Sequence, residues 1–568
     1  MKKKKISRRT FLKEVGAGAL AAPMLSNLAG GPAAYGKPLS APALGFPMIQ
    51  SGVSRKRNVL FIATDDCCCR LGIYGNPTVR TPHLQRLAQS SVRFDRAYCQ
   101  YPWCSPSRTS LMTGLAPDTT RVYDLRTHFR EALPETVTLP QAFLNNGYFT
   151  ARAGKIYHYG NPDQIGTSGL DDPPSWNESI NPAGVDHVKE EALLTNFTPQ
   201  NRPKLKGRNM AALINRLEGT SACGSGCWPG EGNPVGARVP GDDGWGASIA
   251  MYESTSSPQL HTDYLVADAA IAMLEKRRMQ PTDPWFIGVG FYKPHVPWIV
   301  PSEYFDMYPL EEIHATPFNP DEMHIAPPWA YITKTPNYGM TPDQCRQAMR
   351  AYYAAASFLD SNVGRVLDAL QRLGLAENTT VVFWADHGWQ LGEHGQWEKQ
   401  TLFEPAARVP LMIGGAGVAA AGQVCPRTVE HLDIYPTLAE LCSLQETPSN
   451  LHGQSVVPLL SNPNASWSRP AITQIYRPGN YPPPWGWPNI PSGGIMGYSI
   501  RNERYRYTFW KEGSEGEELY DYQVDPRELH NLATDGGAAA VKAALRAQLE
   551  GICLQRGMAG APGSLKAS

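Results

Sequence analysis

Twice in this chain an apolar run ends in acidic residues, and that pattern narrows the possible folds more than any other feature. Residues 58–64 read Asn-Val-Leu-Phe-Ile-Ala-Thr before Asp65 and Asp66, and residues 379–385 read Thr-Thr-Val-Val-Phe-Trp-Ala before Asp386 and His387. Largely apolar runs of this length suit strands buried on both faces of a parallel sheet. Open α/β sheets place their ligand sites at the carboxyl ends of such strands. Adjacent carboxylates inside a strand point to opposite faces, but at a strand end the chain turns and both converge. The expected fold is therefore α/β, with an acidic site at the carboxyl edge of the sheet. Hard oxygen donors of this kind match Ca²⁺ or Mg²⁺ better than zinc. A helix N-cap beside a solvated acid would explain an isolated Asp-Asp pair, but a third acid ends a second apolar run here.

Residues 104–114 read Cys-Ser-Pro-Ser-Arg-Thr-Ser-Leu-Met-Thr-Gly. Cys104 has Pro106 at +2 and Arg108 at +4, and alone this reads equally well as a structural cysteine in a proline-set turn. Pro102 and Pro106 frame a tight entry, and the run after Ser107 has helical character. A helix N-terminus there would present backbone N–H groups to an anion. Arg108, one helical turn beyond Cys104, is placed for charge-assisted hydrogen bonds. Lys155 and His158 lie three residues apart on one short segment, and Lys293 and His295 flank Pro294 just beyond the strand-like run 285–291. Taken singly, each of these is a surface charge or a satisfied histidine. Their ordered context gives them weight.

In chain order the sequence carries Asn58-Val-Leu-Phe-Ile-Ala-Thr-Asp-Asp66, Thr81-Pro-His-Leu84, the Cys104 segment, Gly154-Lys-Ile-Tyr-His158 and Gly290-Phe-Tyr-Lys-Pro-His295. Then follow Ala385-Asp-His-Gly-Trp-Gln-Leu-Gly-Glu-His-Gly-Gln-Trp-Glu-Lys399, Met496-Gly-Tyr-Ser-Ile-Arg501 and Glu518-Leu-Tyr-Asp521. From about residue 57 to about 532 the chain resembles the formylglycine-dependent sulfatase family, most closely its iduronate-2-sulfatase branch. The resemblance implies an alkaline-phosphatase-like sandwich: a large, mostly parallel central sheet plus a small C-terminal subdomain with a short antiparallel sheet. It implies that Cys104 is converted to formylglycine. One hydroxyl of the aldehyde hydrate attacks sulfur, and the other collapses back to expel sulfate, an exit that an S-sulfonated thiol lacks. It assigns Asp65, Asp66, Asp386, His387 and the modified Cys104 to one divalent ion, usually calcium. By the same resemblance Arg108 holds the hydrate, Lys155 and Lys399 bind sulfate, His158 assists collapse and His295 protonates the leaving alcohol. Lys293 is assigned to substrate, and Trp389 is placed against a sugar ring.

The implied activity is hydrolysis of a sulfate ester on a sulfated sugar, a uronic acid 2-O-sulfate in a polysaccharide fragment. Alternatives on the same fold are an arylsulfatase or choline-sulfatase, a phosphonate or phosphate monoester hydrolase, and a non-catalytic sulfated-sugar-binding relative. Two departures from the family pattern stand out. Cys67-Cys68-Cys69-Arg70 follows the acidic pair where Leu-Arg is usual, and three neighbouring thiols read as small buried residues or redox liabilities, not a soft-metal site. His387 with Trp389 replaces the Asn-Gly pattern of many arylsulfatases.

Length and charge set the outer bounds. At 568 residues the chain exceeds the usual size of one core. Zero formal net charge, with no basic run after the N-terminus, argues against a nucleic-acid partner. Residues 1–35, with Lys2 to Lys5 and twin arginines Arg8-Arg9 before Phe11-Leu12, resemble a Tat-type signal peptide. That implies the Tat machinery and a formylglycine-generating enzyme as partners, and an exported, periplasmic or extracellular bacterial location. No stable membrane span is expected after cleavage. Residues 36–56 read as a linker, 57–464 as the catalytic domain with an insertion at 160–250, and 465–568 as the C-terminal subdomain. Expected helices begin after an N-cap at Thr81, span 342–373, span 430–442 with Pro436 as a candidate break, and close the chain at 538–552. Short strands are expected at 498–501 and 504–510. Cys223 and Cys227 are the candidate local disulfide.

Overall fold

The computed structural model of the chain describes residues 56–161, 164–198, 249–333, 335–477 and 494–558. The leader, all of the linker but Lys56, most of the 160–250 insertion, and the Cys223 and Cys227 pair lie outside them. The nine cysteines among the described residues are all free.

Nine strands form the central sheet: β1 (Asn58–Asp65), β2 (Ser91–Tyr98), β3 (Phe149–Gly154), β4 (Glu178–Ile180), β5 (Trp285–Pro294), β6 (Thr379–Ala385), β7 (Arg408–Val409), β8 (Leu411–Gly415) and β9 (Val424–Glu430). They lie in the order β7-β2-β8-β6-β1-β5-β3-β4, with β9 paired to β2. The two apolar runs are neighbours. β1 runs parallel to β6, with Asn58 opposite Thr379, and parallel to β5, with Val59 opposite Phe286. β8 is antiparallel to both β6 and β2. Every residue of β1, β5 and β6 is buried, which explains why these strands are apolar without alternation. Strand β4 comes from the stretch expected to be an insertion, so part of that segment builds the sheet edge.

Helices pack on this sheet: α1 (Pro82–Gln89), α2 (Cys104–Thr113), α3 (Thr262–Arg278), α4 (Pro342–Arg372) and α5 (Ile434–Leu441). α4 starts where Thr341 accepts the Gln344 N–H and Pro342 occupies the first position. Its residues Met349, Tyr352, Tyr353, Ala356, Leu359 and Val363 are all buried. Two expectations need correction. Thr81 does not cap α1; Asp360 of α4 accepts the N–H groups of His83 (3.1 Å) and Leu84 (2.7 Å) instead. A carboxylate from a packed neighbour thus satisfies the donors an N-cap hydroxyl would have taken. Glu430 closes β9 and is not helical, and Pro436 does not break α5. It sits in the first turn, where its missing N–H is not required.

The C-terminal part is a four-stranded antiparallel meander, β10 (Ala471–Arg477), β11 (Ile495–Arg501), β12 (Tyr505–Trp510) and β13 (Glu517–Asp521), followed by α6 (Ala539–Gln555). Glu430 joins it to the central sheet. Its Oε1 accepts the Ile472 N–H and Arg556 Nη1, both at 2.9 Å, and its Oε2 accepts Arg556 Nη2 at 2.5 Å. Burial alone would raise this carboxyl, but Arg556 and Arg469 hold it below its ordinary value. Removing one partner of a buried pair leaves the other charge uncompensated, so Glu430→Gln should cost about 3 kcal/mol or more. A lowered carboxylate contributes stability that is present above its unfolded pKa and lost as pH falls through the folded one. The difference in unfolding midpoint between wild type and Glu430→Gln should therefore hold from pH 7 to about 5, then narrow below about pH 4.

Candidate functional site

At the carboxyl end of β1 the chain turns sharply. Asp66 has φ 62°, in the left-handed region that costs a non-glycine residue about 1–2 kcal/mol. That turn lets two consecutive carboxylates face one place. The Asp66 N–H donates to Asp386 Oδ1 (3.1 Å), which also accepts the His387 N–H (3.0 Å), so the ends of β1 and β6 are tied together. Asp65, Asp66, Cys104 and His387 each offer one ligand atom, all within 4.8 Å of one another, and all four residues are buried. Asp386 borders this group, 3.6 Å from His387 Nε2.

Cys104 opens α2 four residues earlier than its sequence suggested, since Pro106 lies within the first turn and needs no N–H there. Its Sγ lies 3.3 Å from His387 Nε2 and accepts from Lys399 Nζ at 3.2 Å. Arg108, one turn on, is wholly buried. Its five N–H donors match five hydrogen bonds: Nε to Asp386 Oδ2 (3.0 Å), Nη1 to the carbonyls of Lys155 (2.7 Å) and Ile156 (3.1 Å), and Nη2 to Thr64 O (3.0 Å) and Asp65 Oδ1 (3.3 Å). No donor remains for a group on Cys104. The guanidinium props up the carboxylates from beneath.

Lys155 reaches the cluster because two glycines let strand ends come close. Gly154 has φ 73°, and a Cβ on Gly290 would sit 1.9 Å from Lys155 O. The Lys155 N–H donates to Gly290 O (2.7 Å), and its Nζ donates to Asp65 Oδ2 (2.6 Å). Gly290→Ala must push Lys155 away from Asp65. Overpacking of this kind should lower stability by about 1–3 kcal/mol, read as a fall in the unfolding midpoint.

The electrostatics follow from burial and these contacts. Burial would raise Asp65, but Lys155, His295, Arg108 and Lys399 together hold it well below the usual carboxylate range. Burial drives Asp66 well up against the pull of Lys399, with Asp65 and Asp386 adding to the rise. Burial lifts Asp386 to about 6 despite Arg108. His387 and His295 are held well below their ordinary value, chiefly by burial and then by Lys399. Burial also pushes the Cys104 thiol well up, so a plain cysteine there stays protonated. Lys399 donates to Asp66 Oδ1 (2.5 Å) and keeps its charge. His387 Nδ1 bonds Gly388 O (2.8 Å), which leaves the Nε2 lone pair facing the cluster.

Other expected residues sit differently. His295 Nε2 lies 3.5 Å from Asp66 Oδ2, with Nδ1 bonded to Val296 O. His158 is buried near Lys155 and Asp65, and its Nδ1 has no hydrogen-bond partner. Lys293 points away, donating to Pro297 O (2.8 Å). Trp389, expected against a sugar ring, is 1% exposed and enclosed by Tyr352 (6.4 Å, stacked), Trp298 (6.3 Å) and His295 (6.5 Å), with Lys399 Nζ 5.6 Å from its ring centre. It backs the site and presents no open face. Cys67 and Cys68 are buried, Cys69 half-buried, and only Cys104 among the described cysteines joins the ligand group. Sequence reading missed Asp263, whose carboxylate accepts the N–H groups of Tyr292 (2.8 Å) and Lys293 (2.9 Å) and so fixes the end of β5. It also missed the hydroxyl of Tyr352, although a buried tyrosine always raises the question of what its O–H meets.

A buried carboxylate, imidazole and thiol cluster that could hold a metal ion, backed by two ammonium groups at the carboxyl edge of a mostly parallel sheet, is suited to hydrolysis of anionic esters. Comparison with known proteins agrees. The Sulfatase family model matches residues 57–444, and the model for the N-sulphoglucosamine sulphohydrolase C-terminal region matches residues 392–555. Iduronate 2-sulfatase of Mus musculus is 32% identical over 565 residues, covering 86% of this chain and 93% of that protein. A sulfatase of Formosa agariphila is 31% identical, covering 84% of this chain and 83% of that protein. Among solved structures, phosphonate monoester hydrolase of Agrobacterium radiobacter shares the fold with a TM-score of 0.65 at 22% identity, covering 88% of this chain and 96% of that one. The chain belongs to the sulfatase family, enzymes that hydrolyse sulfuric esters.

Proposed function

We propose that the chain hydrolyses a 2-O-sulfate ester on a uronic acid of a polysaccharide fragment, using formylglycine at position 104 and one Ca²⁺. The observation that carries this reading is the placement of Cys104. It opens α2 with its side chain inside the carboxylate group, between Lys399 Nζ and His387 Nε2. The 32% identity to an iduronate 2-sulfatase over most of the chain supports the sugar class.

The residues fit a hard divalent cation. Asp66 Oδ2 is buried without a hydrogen-bond partner, and His387 turns a bare nitrogen toward it. Asp65, Asp66, Asp386 and His387 would hold the ion together with residue 104, and the bound ion would polarise the sulfate. A formylglycine hydrate would supply an oxygen nucleophile together with a second hydroxyl able to release the product. Around them Lys155 and Lys399 bring two ammonium groups to the position of an anionic ester. His295, with Nδ1 donating to a carbonyl, turns Nε2 toward the cluster, the atom that would take up and pass on a proton there. Arg108 holds Asp65 and Asp386 in place. Cys104 is 1% exposed, so an enzyme that modifies it must meet the chain before α2 packs.

The division at residue 465, export by the Tat route and a periplasmic or extracellular location belong to the same proposal. Among the described residues no helix is long and apolar enough to cross a membrane. A panel of defined sulfated disaccharides tests the substrate class. Release of sulfate from 2-O-sulfated uronate ends, about 100-fold faster than from 6-O-sulfated hexosamine ends, is expected if the site reads the sugar. The opposite ranking would overturn the uronate reading while leaving the sulfatase chemistry intact.

A further inference from the structure

The left-handed turn at Asp66 has a dedicated support. Tyr352 lies on α4, fully buried, and its hydroxyl reaches two peptide groups of that turn. The Oη donates to Asp66 O (2.9 Å) and accepts the Cys68 N–H (2.9 Å), with Cys68 Sγ 3.3 Å away. One hydroxyl thus grips the chain on both sides of residue 67, directly after the strained residue. Left to itself, an aspartate at φ 62° returns to the extended or helical region, and its carboxylate then swings off the group formed with Asp65 and His387. The other contacts on Asp66 act on its N–H, from Asp386, and on its carboxylate, from Lys399, His387, His295 and Cys104. Among the described residues only Tyr352 holds its carbonyl.

The ring of Tyr352 is anchored in turn. It meets Trp298 edge-on (6.2 Å, 89°) and stacks on Trp389 (6.4 Å, 17°), the indole that backs Lys399 and His295. A phenylalanine would keep these ring contacts and lose both hydrogen bonds to the turn.

We propose that Tyr352 is a positioning residue for the cation site: its hydroxyl holds residues 66–68 in the conformation that delivers the Asp66 carboxylate to the ion. This rests on the reading of Asp65, Asp66, Asp386 and His387 as that site. Groups that orient metal ligands without touching the metal typically change affinity by about 10–100-fold when removed.

The test is calorimetric titration of Ca²⁺ into the full chain after the metal has been stripped by chelation. Tyr352→Phe is expected to bind Ca²⁺ about 10–100-fold more weakly than wild type, and to show a correspondingly smaller rise in unfolding midpoint on adding calcium. Tyr308→Phe is the control. It removes a hydroxyl bonded to Ser357 Oγ on the same helix (2.5 Å), takes no part in the cluster, and should leave the affinity unchanged. Wild-type affinity in Tyr352→Phe overturns the proposal, as does equal weakening in both variants, which would mean a loosened helix. A Tyr352→Phe chain that stays unfolded in excess calcium also overturns it, since the hydroxyl would then serve the core. A wild type that takes up no calcium overturns the site reading itself, and the proposal with it.

Discussion

Replacing Cys104 with alanine is expected to lower kcat by about 10⁴-fold or more while leaving the unfolding midpoint within a few degrees of wild type. The two halves of this expectation have separate causes. The substitution removes only a sulfur from a helix N-terminus whose backbone bonds are unaffected, so little packing is lost. Chemically it removes the atom on which the whole site converges: among the described residues, Lys399, His387 and the carboxylates surround position 104 and no other nucleophile. Asp65 and Asp66 are occupied by Lys155 and Lys399, and the other described thiols lie outside the ligand group. Near wild-type turnover in Cys104→Ala would remove the nucleophile from this account. The companion measurement is tandem mass spectrometry on the tryptic peptide 97–108 from a host able to make formylglycine. Replacement of sulfur by an aldehyde oxygen is expected at Cys104 and not at Cys99 of the same peptide. An intact thiol at Cys104 from a competent host would favour the non-catalytic sugar-binding alternative.

The core of this fold was open to reading because two local signals coincide: strands without alternation, and acids placed where those strands must end. β1 and β6 were expected before their pairing was known, and the convergence of Asp65, Asp66 and Asp386 follows from the two being neighbours in the sheet. Lys155, Lys399 and His295 carry no such signal, and only family resemblance singled them out. What stayed hidden are roles decided by a third partner distant in sequence. Thr81 looks like an N-cap, yet Asp360, more than 270 residues away, fills that role. Trp389 looks like a sugar platform, yet Tyr352 and Trp298 enclose it. Tyr352 itself reads as core from its helical spacing, and its ring is core. Only the hydroxyl, one atom in twelve of that residue, faces the site. Helical periodicity reports which face is buried and cannot report what a buried polar atom meets.

Arg108 is the clearest case, and it carries the second large expectation. By resemblance it holds the hydrate at position 104, a role at the front of the site. In the structure it lies behind the carboxylates, bridging Asp65, Asp386 and three strand-end carbonyls with every donor engaged. The two placements predict different behaviour. A residue that only contacts the hydrate can be lost with little effect on stability, because its removal leaves no buried charge unpaired. A residue that neutralises two buried carboxylates cannot. Arg108→Met should cost about 3–5 kcal/mol of stability, since it leaves charges unpaired in the core, and more if the freed carbonyls stay dry. Arg108→Lys keeps the charge, but a compact ammonium cannot span the ends of β1, β3 and β6 as a planar fork does. It should recover part of the stability and little of the turnover. Urea unfolding of both variants, with residue 104 checked by mass spectrometry, separates the cases. A Met variant as stable as wild type, yet inactive with formylglycine present, would return Arg108 to the front of the site. A large loss of stability with only partial rescue by lysine would identify it as the strut that sets the geometry of the ligands above.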